Sequence, residues 1–407
     1  MTLSGASLRG FLGLGSVCLG LVFGGSAVGY PVDPTNPLRA IVGPPQGLAP
    51  QFRLNSSRTG RSPTLLPMRP RILWRSHVQG TVDGGLAVDP RGAVVVGSSL
   101  ALSQVSRNGR VEWTHRLTTP AVGNVTLLAD GTRVVATAEG LLLGISEWGT
   151  PRWQYHDGPP PRGVQTTLLP SADGGVVVAA GELVLWLDRE GRRRAQETVS
   201  APITALLGWR HRVLVVTRDG DILEWDGIQS PRHRAKAEGT NSGGAALIDP
   251  DLLALVVDGR RLVEVDLTLE VLRVRMADGP LEFNTPPVVA ARQETRIVST
   301  DGVLLGHDQA GRETLRTTLA TAQSGSQPFS GQRAFGQAPL VVDANGNTAF
   351  ALAFRDPGVR TSKGDVRVIP DVACSEPVAL APAGQLRLVG ACRSGLIWVA
   401  GEQSAPS

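Results

Sequence analysis

Residues Arg107–Trp113 read RNGRVEW, a basic Gly turn running straight into a short segment that ends on Trp. Forty residues later SEWGTPRW ends on Trp153, and 39 residues earlier RPRILW ends on Trp74. A turn and a Trp that return at this spacing point to a structural repeat.

Eight short apolar runs carry the repeat. They are AVVVGS (Ala93–Ser98), RVVATA (Arg133–Ala138), VVVAAG (Val176–Gly181), RVLVVT (Arg212–Thr217), LLALVV (Leu252–Val257), RIVST (Arg296–Thr300), TAFALA (Thr348–Ala353) and LRLVGA (Leu386–Ala391). Their starts lie 40, 43, 36, 40, 44, 52 and 38 residues apart. Most are entered through a Gly turn such as DPRG (Asp89–Gly92), SADGG (Ser171–Gly175) or DANGN (Asp343–Asn347). A second turn and another apolar run follow, as in GELVLW (Gly181–Trp186), RDGDILEW (Arg218–Trp225) and RSGLIWV (Arg393–Val399). The third turn is RNGR, EWGT (Glu147–Thr150), REGR (Arg189–Arg192) or QAGR (Gln309–Arg312). Gly-bearing turns between β-rich runs of four to six residues are hairpin chemistry. Four strands in about 42 residues make a β-propeller blade. Eight such units account for the 338 residues from Pro70 to Ser407. The fold expected is all-β, a single eight-bladed propeller of four-stranded antiparallel blades.

Closure can be read as well. The eighth unit stops after GLIWVAGE without a fourth strand, while RILWRSHV (Arg71–Val78) precedes the first unit with its Trp in the fourth-strand place. The N-terminal strand is expected to complete the last blade. Cys374 then lies before that blade's first strand and Cys392 after its second. Antiparallel neighbours bring those two ends together, so a Cys374–Cys392 disulfide is expected. Trp186, Trp225 and Trp398 fall in third strands and Trp74, Trp113 and Trp153 in fourth strands, a periodic placement that suits packing between blades. Trp148 and Trp209 break the pattern and are expected to be exposed near turns.

Three regions are expected: a leader at 1–29, a Pro-rich tether at 30–69 and the propeller at 70–407. Arg9 is followed by the apolar, small-residue run GFLGLGSVCLGLVFGGSAVG (Gly10–Gly29), the parts of a secretory signal. Cleavage before Tyr30 or after Ala27 both fit, and an uncleaved anchor is the alternative. Val17 and Gly15 do not suit a lipid attachment at Cys18. An even pair of remaining cysteines agrees with export to the periplasm or beyond. The stretch YPVDPTNPLRAIVGPPQGLAPQ shows no helical or strand period. The long interval before TAFALA marks an insertion, AQSGSQPFSGQRAFGQ (Ala322–Gln337).

The recurring pattern of apolar-Asp-x-x-Gly, Val-rich strand, Asp-Gly, Leu-rich strand and Gly-Arg-x-x-Trp resembles the quinoprotein-type (PQQ-like) β-propeller repeat family. The stretch QFRLNSSRTGRSPTLLPMRPRILWR (Gln51–Arg75) is similar to the lead-in of such propellers. The resemblance implies the fold. It implies little about activity, since the family holds both dehydrogenases and assembly scaffolds. In blade number and in lacking a catalytic centre, the chain is similar to the propeller lipoproteins of outer-membrane assembly. Quinoprotein dehydrogenases carry an adjacent Cys-Cys pair over the cofactor, and no two cysteines are adjacent here.

No catalytic, cofactor or metal residue is assigned. His77, His115, His156, His211, His233 and His307 share no ligand spacing. DANGN starts like a calcium loop but has Thr348 and Phe354 where Gly and Glu belong, so a hairpin turn is expected. Net charge is +4, and two Arg clusters stand out, REGRRR (Arg189–Arg194) and SPRHRAK (Ser230–Lys236). They sit at equivalent third turns of neighbouring units, so Arg192, Arg193, Arg194, Arg232, Arg234 and Lys236 are candidates for one basic patch facing an anionic partner. Without aromatics between the arginines, nucleic acid is not expected. The function expected is an exported, non-catalytic protein-interaction scaffold of the cell envelope, a monomer meeting envelope or outer-membrane proteins. The alternatives are a quinone- or metal-dependent oxidoreductase and an extracellular glycan-binding module.

Overall fold

The computed structural model describes residues 58–402 except 157–165, 172, 211, 270, 277–280, 284, 291–292, 320–339 and 353–355, together with Ala49 and Asn55. The expected leader, the insertion at 322–337 and His211 lie outside the described residues. So does nearly all of the tether up to residue 57.

Strand β1 (Arg71–His77) comes first. Blade 1 is β2 (Leu86–Val88), β3 (Val94–Gly97), β4 (Ala101–Val105) and β5 (Val111–Arg116). Blade 2 is β6 (Ala121–Leu127), β7 (Arg133–Thr137), β8 (Leu141–Ile145) and β9 (Pro151–His156). Blade 3 is β10 (Thr166–Pro170), β11 (Val176–Ala180), β12 (Leu183–Leu187) and β13 (Arg193–Thr198). Blade 4 is β14 (Ile203–Trp209), β15 (Arg212–Thr217), β16 (Asp221–Trp225) and β17 (Arg232–Lys236). Blade 5 is β18 (Asn241–Asp249), β19 (Leu252–Val257), β20 (Arg261–Asp266) and β21 (Val271–Met276). Blade 6 is β22 (Val288–Val289), β23 (Thr295–Val298), β24 (Val303–His307) and β25 (Glu313–Thr318). Blade 7 is β26 (Leu340–Val342), β27 (Thr348–Phe350), β28 (Gly358–Arg360) and β29 (Val366–Val368). Blade 8 is β30 (Pro377–Gly384), β31 (Arg387–Cys392), β32 (Leu396–Gly401) and β1.

All eight sheets are antiparallel and stand in a ring, with the first strand of each blade on the axis. Each apolar run singled out in the sequence is a second strand. A blade is covered on both faces by its neighbours, so its inner strands bury most of their residues. Strands β3 and β7 are buried throughout, whereas the outer strands β5, β13 and β25 alternate towards solvent. The closing strand behaves as expected: β1 pairs antiparallel with β32, His77 opposite Leu396 and Arg71 opposite Gly401. Cys374 and Cys392 are joined by a disulfide, with Cα atoms 5.7 Å apart.

The opening repeat has a packing cause. A Cβ placed on Gly109 would meet the Trp74 ring at 2.8 Å, one on Gly149 the Trp113 ring at 2.8 Å, and one on Gly191 the Trp153 ring at 2.6 Å. Each Trp comes from the outer strand of one blade and lies flat on the third-turn Gly of the next. Trp74 Nε1 donates to the Arg107 carbonyl (2.8 Å) and Trp113 Nε1 to the Glu147 carbonyl (2.9 Å), carbonyls of those same turns. Blade 3 has Ala195 in the outer place, and the ring arrives from Trp186 directly across the ladder, docking on Gly227. These contacts latch four successive interfaces, from blade 8 round to blade 4.

Trp148 is exposed as expected, at 73%. Trp209 is not: it is 4% exposed, ending β14 with its Nε1 donating to the Pro250 carbonyl (2.7 Å). The guanidinium groups of Arg210 and Arg234 lie 4.9 and 5.7 Å from its ring centroid, so a turn-adjacent Trp is roofed by two guanidinium groups.

Residues 58–69, the end of the expected tether, are bound to the ring. The Val289 N–H of blade 6 donates to the Thr59 carbonyl (2.7 Å), and the Val342 N–H of blade 7 to the Gly60 carbonyl (2.9 Å). Ser62 N–H returns a bond to the Val342 carbonyl (2.6 Å), and Leu66 N–H reaches the Asp343 carboxylate (3.0 Å). The Leu386 N–H of blade 8 donates to the Leu65 carbonyl (2.9 Å). Ala49 exchanges both backbone bonds with Val88 of blade 1. All these partners lie at the first-to-second-strand turns, so the lead-in runs over one face of the ring as a strap. Its Leu66 is 1% exposed, and burial pushes the Arg58 guanidinium down to about 10.

Candidate functional site

The two Arg clusters do lie on neighbouring blades, 3 and 4, but they are not turn tips. Of the six candidates only Arg192 is in a turn. Arg193 and Arg194 open the outer strand β13, and Arg232, Arg234 and Lys236 belong to β17. The turns end earlier than expected because Gly191 closes the first with positive φ and the second is complete before Arg232.

Carboxylates interleave with these cations. Arg192 Nε lies 3.1 Å from Asp188 Oδ2 and its Nη2 3.1 Å from Glu190 Oε2. Those contacts, Glu190 foremost, hold the guanidinium above its ordinary pKa. Arg194 pairs with Asp173 (3.0 Å), and Arg193 donates to Gln196 Oε1 (2.8 Å). Arg234 and Arg212 both grip the buried Glu224 carboxylate. Lys236 Nζ sits 3.2 Å from Asp221, which His233 also approaches at 3.5 Å. Arg232 is exposed and has no ion-pair partner among the described residues. Ser230 Oγ donates to Glu197 (3.4 Å), tying the blade 4 turn to β13. An open groove follows Arg193–Thr198 along β13. The surface is therefore a ladder of alternating charge beside an open strand edge.

DANGN is a hairpin turn. Asp343 Oδ1 accepts the N–H groups of Asn345 and Asn347, both at 2.9 Å, and its Oδ2 is taken by Leu66 and Asn347. Among the described residues no three His, Cys, Asp or Glu side chains are grouped to hold a metal ion. Among them, too, no helix is long and apolar enough to cross a membrane. The strap over the ring face and a buried arginine pair between blades 6 and 7 escaped the sequence reading. Their partners are hundreds or tens of residues apart, and no short motif marks them.

Ring, repeat and the Trp–Gly interfaces together define a class, the β-propellers, here of eight blades with a repeat similar to the PQQ-like one. Residues 69–268 match the family model described as outer membrane protein assembly factor BamB. The matched stretch ends in the turn after β20 and contains all four Trp-latched interfaces. In architecture the chain resembles that assembly factor. It aligns with BamB from Moraxella catarrhalis at 16% identity and a TM-score of 0.63, over 81% of this chain and 99% of that one. The computationally designed Ika8 protein aligns at 15% identity and 0.64, over 82% and 99%. Virginiamycin B lyase from Staphylococcus aureus aligns at 12% and 0.51, over 81% and 99%. At such identities these likenesses are ones of fold. No curated protein matches the sequence.

Proposed function

We propose that the protein is an exported, non-catalytic propeller that serves as a protein-interaction scaffold in the cell envelope. The observation that carries this reading is the match of residues 69–268 to the outer membrane protein assembly factor model, over the Trp-latched half of the ring. The leader-like composition of residues 1–29 supports export to the periplasm or beyond. The chain acts as a monomer on envelope or outer-membrane proteins.

The docking surface proposed is the outer edge of blades 3 and 4. Arg192, Arg193, Arg194, Arg232, Arg234 and Lys236 line it, interleaved with Asp173, Asp188, Glu190 and Asp221. An alternating ladder suits a protein face of complementary pattern better than a uniformly anionic surface, because Arg192, Arg194, Arg234 and Lys236 already have a local counter-charge. The free edge of β13 adds backbone donors and acceptors to that recognition.

Native mass spectrometry on the protein captured gently from its own envelope fraction tests the reading. Co-purifying outer-membrane or secreted proteins without a small-molecule mass increment are expected. A stoichiometric quinone, metal or glycan on an otherwise lone propeller would overturn it in favour of an oxidoreductase or a glycan binder.

A further inference from the structure

Two arginines that are far apart in sequence lie buried at the contact between blades 6 and 7. Arg296 leaves β23 of blade 6 and donates through Nη1 to the Gly346 carbonyl (2.7 Å) and to Thr348 Oγ1 (2.6 Å), both on blade 7. Arg360 sits directly opposite Thr348 across the β27–β28 ladder. Thr348 thus has one guanidinium on its hydroxyl and another as its cross-strand neighbour. Arg296 is 7% exposed and Arg360 8%.

Their counter-charge does not balance. Glu294 Oε2 pairs with Arg296 Nη2 at 2.8 Å, and its other oxygen accepts from Thr314. Among the described residues Arg360 has no carboxylate within ion-pair distance, and it donates to the Thr361 carbonyl (3.2 Å). The Nε of each arginine is buried without a hydrogen-bond partner. Burial, and then the nearby Arg296 charge, hold Arg360 below its ordinary pKa. A buried cation left unpaired is costly, and guanidinium Nε–Nη forks match oxyanions in geometry.

A Cβ on Gly346 would lie 3.6 Å from Arg296 Nη2 and 3.8 Å from Ser362 Cβ, and one on Gly364 would lie 3.8 Å from Arg360 Nη2. Two turns with positive-φ glycines therefore flank the guanidinium groups. The second turn, Thr361–Gly364, carries an exposed Ser362 and Lys363 at the mouth.

We propose that the cleft between blades 6 and 7 is an oxyanion site, with Arg360 and Arg296 as its forks and the Thr361–Gly364 turn as its rim. The shared chemistry is a phosphoryl or sulfuryl group, either free or carried on a larger molecule. This site is independent of the protein-docking edge on blades 3 and 4.

The test is calorimetric titration of the full chain with inorganic phosphate and with glucose 1-phosphate, at constant ionic strength set by chloride. Saturable one-to-one binding is expected. Arg360→Gln should weaken it at least about tenfold, and Lys363→Gln, an exposed change, should weaken it several-fold. Arg316→Gln, on an ion-paired surface arginine of β25, should leave it unchanged. Phosphate binding without the monoester assigns the free ion; equal or tighter binding of the monoester assigns a phosphoryl group on a larger ligand. A second readout is the melting temperature. In phosphate-free buffer Arg360→Gln should melt no lower than the native protein, since it removes an unpaired buried charge, and phosphate should raise the native melting point alone. Absence of phosphate binding to the native chain, or binding that Arg360→Gln and Lys363→Gln leave intact, would overturn the proposal.

Discussion

Gly149 shows how one missing side chain sets the distance between two blades. Its φ of +83° suits the turn, and the Trp113 ring occupies the space a methyl would need. The two demands can be separated. Gly131 has a similar φ, +80°, yet nothing lies nearer its absent Cβ than an Arg133 nitrogen at 3.5 Å. We predict that Gly131→Ala costs about 1–2 kcal/mol, the left-handed penalty. Gly149→Ala should cost about 2–4 kcal/mol, because displacing a packed ring adds an overpacking term. Urea denaturation of both variants measures the difference, and equal costs would mean that Trp113 yields freely. At this scale the sequence was informative about Trp and Gly because their spacing repeats. It misled at Trp209, whose position beside a turn says nothing of the guanidinium groups that cover it. It was silent about Arg296 and Arg360, which only ring geometry brings to one hydroxyl.

Strands and turns differ in how plainly they show themselves. Second and third strands are buried on both faces, so they read as unbroken Val and Leu runs. Outer strands expose alternate residues and read as polar stretches, which is why Arg193, Arg194 and Arg232 were first placed in turns. Turn chemistry itself is local and testable. Asp258 opens the turn between β19 and β20 with φ +55°, its Oδ1 accepting the Thr240 N–H (2.8 Å) and its Oδ2 held by Arg261. The Thr240 bond, then Arg261, holds this carboxyl below the usual Asp value. A depressed carboxylate pKa contributes stability that is present above its unfolded value and lost as pH falls through the folded one. Asp258→Asn keeps a side chain that tolerates left-handed backbone but removes the charge. The variant should melt below the native protein at pH 7, and the gap should close below pH about 4. A gap that stays constant down to pH 2 would show that the contact is not electrostatic.

Across the whole ring, two different devices hold the blades together. Trp–Gly contacts latch blades 8 to 4, and the strap at residues 58–66 spans the turns of blades 6, 7 and 8. The ring and its closing strand were legible because eight units each repeat a two-turn, Val-rich signature. The strap was not, because its backbone bonds go singly to turn ends and leave no period in its own sequence. Leu66 anchors it, and Leu66→Ala should cost about 2–4 kcal/mol. The loss should be regional. Hydrogen exchange of the Val289 and Val342 amides, which donate to the strap, should quicken, while amides of β7 and β11 keep their protection. Uniform acceleration over all eight blades would show that the strap is inseparable from the ring.

Closure by β1 also has a consequence in time. A chain that emerges N-terminus first presents residues 71–77 more than 300 residues before β32 exists to pair with them. An unpaired strand waiting that long is an invitation to wrong partners. Trp74 supplies an early berth, because its ring and Nε1 dock on the Arg107–Gly109 turn, only some 33 residues downstream. Blade 1 can hold the waiting strand at the place where blade 8 will arrive. The last step then becomes the addition of three strands to an edge already positioned, and most of the entropy of joining the two ends of the ring has been lost beforehand in a short, local loop.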